Sequence, residues 1–319
     1  MRTVSEAARL VSRAGAVFDP RSRWLAVSRS MLALATLTEI LFTSDSALFS
    51  DATGLTPGMQ CDGVRALSLW CLDSDVTGHV LISRIVAVSI LVMVAAGYRP
   101  RWTCIPHWYV TCSLTASMTV ANGGDGAAAV LTLLLIPLCL GDDRVWHWAA
   151  PTRPLGAYWR GSAFAAQLVI RLQVCIIYTT AASTKLADPA WRSGRAFYFA
   201  ANDPYLGIPT AASRLILPSL EAPWLIKTIT WSVIAVQSLI ALTIIGRRRM
   251  RAVAVVLVAA LHLSIIAVMA LPSFGLIMIA FALAAFGRNS AGTGVERRED
   301  HHHRGTSNRY RAVRSEPGG

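Results

Sequence analysis

Apolar residues in this chain come in long blocks separated by short polar gaps. The blocks are Trp24 to about Phe42, His79 to Gly97, Cys104 to Val120, Ala127 to Leu140, Gly161 to Leu186, Pro223 to Ile245, Ala252 to Leu271, and Phe274 to Phe286. Such blocks predict helices that cross a bilayer, where about 20 residues span the hydrocarbon. The fourth is short and broken by Pro137, and the eighth is weak and short. The expected fold is therefore all-α: a polytopic integral membrane helical bundle of seven or eight transmembrane helices. Residues 1–23 read as a basic cytoplasmic segment, 24–286 as the transmembrane domain, and 287–319 as a disordered cytoplasmic tail with few apolar residues. Asn122, Gly123, Gly124, Asp125 and Gly126 read as a tight turn.

The fifth block differs from the others because it carries charge. Arg171 and Lys185 lie fourteen residues apart with Tyr178 midway, and Gln167 is four before Arg171. Steps of seven are two helical turns, so these four side chains form one stripe if the helix is continuous. A buried cation in a bilayer needs protein, water or a partner. Lys185, at the helix end, either snorkels to the interface or serves a polar cavity. Arg171 lies about 21 Å deeper by helical rise. It should have an acceptor, with Asp125 or Glu39 as candidates. A lysine at the mouth of an apolar cavity acts as a general base if its amine is neutral. If it stays charged, it recognises an anion. His262, mid-span in the seventh block, is either a packing histidine or a cavity histidine. Glu39 is expected to balance Arg84 in the outer half.

Composition agrees with a membrane protein. The 319 residues are 54% hydrophobic and 15% charged, with a mean hydropathy of +0.48; a soluble chain carries about 25% charged residues. The net charge of +12 comes from arginine, since Lys185 and Lys227 are the only lysines. These arginines sit between the apolar blocks, so they read as topology signals and not as a nucleic-acid surface. With the N-terminus inside, inner segments hold 21 arginines and outer segments four. That places both termini in the cytoplasm. Cys61 and Cys71 stand ten apart in the first outer loop, where they either form a disulfide or remain free thiols. The chain shows no nucleotide loop, nucleophile elbow or metal-ligand spacing, so no metal or cofactor is assigned. The His301, His302, His303 run reads as a solvated part of the tail. His107 and His147 flank Trp108, Trp146 and Trp148, which read as interface anchors.

One pattern has a family resemblance. Arg171, Gln173, Tyr178, Lys185 and Leu186, followed by Trp191 and Gly194, resemble the bacterial HTTM-domain membrane proteins. These are related to the vitamin K-dependent gamma-carboxylase. Cys61-Asp62-Gly63, Pro100-Arg101 before the third block, and Gly124-Asp125 before the fourth are similar to the sporulation-delaying-protein B branch. The resemblance covers about Trp24 to Phe286. In the carboxylase, the lysine matching Lys185 is the base toward vitamin K hydroquinone. The carboxylase's Asn-His pair is Gly124-Asp125 here, and its lumenal peptide-docking domain has no counterpart. The resemblance therefore implies a membrane step in maturing or exporting a secreted peptide toxin, with companion maturation proteins, at the bacterial plasma membrane.

Two other functions are carried alongside this one. The first is a membrane enzyme on a quinone-like or lipid substrate, with Lys185 as candidate base and Tyr178 and Arg171 beside it. The second is a scaffold or transport subunit without chemistry. Gln167, Asp125, Trp191 and His262 are the candidate cavity or substrate-binding residues.

Overall fold

The computed structural model describes residues 15–49, 61–72, 80–118, 123–203, 207–209, 213–214 and 222–287. The expectations for residues 1–14, and for the tail with its His301 to His303 run, fall outside them. In chain order the helices are α1 Arg23–Phe42, α2 Asp45–Phe49, α3 Leu81–Ala96, α4 Pro100–Ser117, α5 Gly123–Cys139, α6 Ala157–Ala187, α7 Pro189–Arg192, α8 Ala196–Ala201, α9 Pro223–Ile244, α10 Arg248–Met269 and α11 Pro272–Phe286. Each of the eight apolar blocks corresponds to one long helix among the described residues. Their boundaries follow local signals. Ser22 accepts a hydrogen bond from the Leu25 amide and starts α1. Proline in the first turn starts α4, α9 and α11, where its missing N–H costs nothing. Of the predicted tight turn at 122–126, residues 123–126 are helical and begin α5, and Asn122 falls outside the described residues.

Successive long helices run alternately between two ends of the bundle. At one end Ser30 donates to the Ala95 carbonyl, Arg99 N donates to Val145 O, and Gln167 donates to Ala284 O. Trp24 meets Phe286 edge-on, with Arg248 over the same ring. This end gathers Arg21, Arg99, Arg144, Arg153 and the Arg247 to Arg251 turn. At the other end Ser83 donates to Leu69 O, Thr115 donates to Asp125 O, and Thr230 donates to Gly194 O. Cys61 and Cys71 form a disulfide there, with Cα atoms 5.7 Å apart. Two 3₁₀ turns, Gly63–Leu67 and Leu69–Cys71, hold that loop on the end of α4 through Ser68, which bonds Ser113 O and Ser117.

Four helices, α1, α6, α9 and α10, are long and apolar enough to cross a membrane; α3, α5 and α11 are apolar but shorter. On α9 and α10 the exposed side chains include Trp231, Leu239, Leu242, Val253, Val256 and Leu263. An exposed apolar face of this extent fits contact with lipid. The chain is a membrane protein built of helices.

The eighth block is not a marginal element. Every residue of α11 from Ile277 to Phe286 is buried, and the helix packs against α1, α5, α6 and α10. A helix apolar on all sides belongs inside a bundle. Its C-terminal two thirds lie inside the bundle, while its first residue, Pro272, is exposed.

Candidate functional site

The stripe lies on one unbroken helix, α6, which runs from Ala157 to Ala187. Its four side chains serve three different purposes. Gln167 is buried and donates to the carbonyls of Ala284 (2.7 Å) and Ala285 (3.1 Å). Arg171 donates through Nε to Ala285 O at 3.0 Å and through a terminal nitrogen to Gly287 O at 3.5 Å. The acceptors for Arg171 are thus the last carbonyls of α11, and not Asp125 or Glu39. A helix ends with carbonyls that have no partner of their own, and inside a membrane water cannot supply one. A cation there also complements the negative end of the helix dipole. Gln167 and Arg171 form a side-chain cap for the central helix.

Tyr178 is the middle of the stripe. Its hydroxyl lies 2.9 Å from His262 Nε2 on α10, and both side chains are buried. Phe274 also meets the imidazole in a T-shaped contact, with ring centroids 5.2 Å apart. His262 Nδ1 has no hydrogen-bond partner among the described residues. The pair is a tyrosine–histidine dyad with one open ring nitrogen.

Lys185 ends the stripe and is half-buried. Its ammonium donates to Ala181 O at 3.3 Å and stands 4.9 Å from the centre of the Trp191 ring. A cation–π contact of this kind contributes about 0.5–2 kcal/mol. Asp188 places Trp191: its carboxylate accepts from the Ala190 amide and caps α7. Gly194 then turns the chain with φ +78°, and a Cβ there would lie 2.6 Å from Lys227 Cγ. Its carbonyl accepts from Thr230 of α9. The spacing of lysine, tryptophan and glycine therefore has a physical reason. It folds the connector back over the end of α6 and onto α9. Lys227 also meets this connector, a contact that no sequence pattern marks.

Asp125 is buried in the first turn of α5, a favourable place for a carboxylate near the helix dipole. Glu39 lies beside Asp125, carboxyl against carboxyl. Glu39 is therefore not the counter-charge of Arg84. That role falls to Asp45, 2.7 Å from Arg84, with Thr43 O as a second acceptor. Asp125 stands apart from Tyr178 and Lys185 in these contacts.

A second polar cluster, at the arginine end, escaped the sequence. Arg29 is 2% exposed; it donates to Thr103 and meets His147 Nδ1 at 3.5 Å. His147 is buried between Arg29, Ser30 and Gly97. Arg144 binds Asp142 and the carbonyls of His147 and Ala149, fixing this segment. Arginine near a helix start reads as a snorkelling residue, and nothing in the sequence marks a loop histidine as its neighbour.

Burial pushes the His147 imidazole down to about 3, with the Arg29 and Arg144 charges adding to the effect. A histidine depressed in the folded state takes up a proton on unfolding. Its contribution is whole above its ordinary value of 6.5 and is lost as pH falls from there towards 3. At pH 5 the loss is about 2 kcal/mol. We expect unfolding midpoints of detergent-purified protein to drop from pH 7.5 to 5, and to drop less in His147→Gln. Equal drops in both would contradict this role for His147.

No family model matches the chain, and neither does any solved structure. Sporulation-delaying protein SdpB of Bacillus subtilis (strain 168) is 33% identical over 263 residues, 82% of this chain and 80% of its own length. The uncharacterized protein YitO of the same organism is also 33% identical, over 267 residues, 82% of this chain and 85% of its own length. Both similarities extend over 82% of this chain. This chain belongs to the family of sporulation-delaying protein SdpB.

Proposed function

We propose that this protein is a multi-pass protein of the bacterial plasma membrane that takes part in maturing or exporting a secreted peptide toxin. The observation that carries this reading is its membership of the SdpB family. The alternation of helices between an arginine-rich end and a disulfide-bearing end supports a bundle with both termini in the cytoplasm. In that orientation Lys185, Trp191 and the connector to α9 face outward. An emerging peptide would meet them there, and companion maturation proteins would dock nearby. The HTTM-like pattern gives Lys185 its place in this reading.

Lys185 keeps its charge or its lone pair for a substrate, since it pairs with no carboxylate among the described residues. That observation also favours a second reading, a membrane enzyme with Lys185 as general base on a quinone-like or lipid substrate. The Tyr178–His262 dyad, on the same face of α6, would then sit below the substrate. A scaffold without chemistry would need neither.

Mass spectrometry of small peptides in the culture medium, with and without the gene, tests the leading reading. A secreted peptide that disappears or remains unprocessed without the gene is the expected result. An unchanged set of secreted peptides would overturn it.

A further inference from the structure

The connector end holds a cleft of about 410 Å³ between residues 193–199 and the start of α9. Its size is that of a small-molecule site. Arg195 and Lys227 line it, with Tyr198, Phe199 and Ile226 as apolar wall. Arg195 spends its Nε on Ser193. Among the described residues neither cation makes an ion pair, and the lining contains no carboxylate. Lys185 is not part of the lining.

The surroundings indicate what kind of anion fits. Tyr198, Phe199 and Trp224 are exposed beside the cleft, the last at 70%. Aromatic residues at the end of an apolar helix mark the level of lipid headgroups. Along α9 the exposed side chains continue as Trp231, Leu239 and Leu242, a path for acyl chains. A ligand that offers phosphate to two cations and hydrocarbon to α9 satisfies both halves of the surface. The geometry points to a binding site for the phosphodiester headgroup of an anionic membrane lipid, held by Arg195 and Lys227. This inference goes beyond the peptide-maturation reading and does not depend on it.

The test is native mass spectrometry of the full chain in detergent, offered phosphatidylglycerol or phosphatidylcholine. The wild type should retain phosphatidylglycerol preferentially. The double variant Arg195→Gln, Lys227→Gln should lose about 30-fold in retention, at the usual worth of two cations beside an anionic membrane surface. Arg195→Lys with Lys227→Arg should keep it. Arg192→Gln, on the same connector but outside the cleft, should have no effect. The Lys227 stem packs on Gly194, so if the double variant does not fold, the exposed Arg195→Gln alone carries the test. Equal retention of both lipids, or an equal loss in Arg192→Gln, would overturn the inference. So would displacement of the lipid by an equal concentration of glycerol phosphate, which would make this a site for free phosphate. Displacement by a short peptide with a free carboxylate would make it a peptide site.

Discussion

Arg171→Leu should reduce accumulation of the protein in membranes by tenfold or more. The substitution removes one of the two donors to the Ala285 carbonyl, Gln167 being the other, and the donor to the Gly287 carbonyl just beyond α11. An unsatisfied buried carbonyl costs about 1–3 kcal/mol, and loss of a cation at the helix end adds about 0.3–2 kcal/mol. The damage spreads because α11 is the helix that α1, α5, α6 and α10 share. Arg171→Lys keeps the charge and one donor, so it should recover part of the loss. Immunoblots of membrane fractions, with melting of the purified variants, measure both. Normal accumulation of Arg171→Leu would show that the cap contributes little.

Gly97→Ala should be comparably severe, by a different route. Gly97 ends α3 with φ +89°, and a Cβ there would sit 2.2 Å from the His147 ring. The glycine carbonyl also accepts the His147 amide, and Tyr98 pairs with Trp146 just beyond it. A side chain in the left-handed region costs about 1–2 kcal/mol, and forced overpacking about 1–3 kcal/mol more. Gly126→Ala is the control, because its Cβ would meet nothing within 4 Å. In a helix that change should be neutral or stabilising by up to about 1 kcal/mol. Thermal unfolding of the three proteins in one detergent compares them; equal midpoints would contradict the packing described.

The helices were legible because apolar blocks of membrane length have few other solutions. Their alternation was legible too, because arginine gathers between alternate blocks. The place of α11 was not. Length alone made it look weak, whereas its all-round apolarity was the signal of burial. The stripe could be read from spacing, but its partners could not. Gln167 and Arg171 bind backbone carbonyls, which have no signature in sequence. Tyr178 and His262 each stood out, yet their pairing depends on how α6 and α10 cross. Glu39 was misassigned because opposite charge was expected to decide its partner. Arg84 instead found Asp45, six residues beyond Glu39, and Glu39 met another carboxyl. Arg29 and His147 come from segments over a hundred residues apart, joined only by the fold.

The contrast between the two cations of α6 leads to the most direct test. Arg171 is held by protein, so its loss should be structural. Among the described residues the Lys185 ammonium bonds within its own helix and faces the Trp191 ring, so Lys185→Met should fold and accumulate normally. The measurement is the amount of processed peptide in the medium of cells carrying Lys185→Met, set against wild type and the gene deletion at matched membrane levels. We predict that the variant resembles the deletion. Wild-type amounts of processed peptide from Lys185→Met, with the deletion defective, would contradict a functional role for this lysine and leave it as a snorkelling residue.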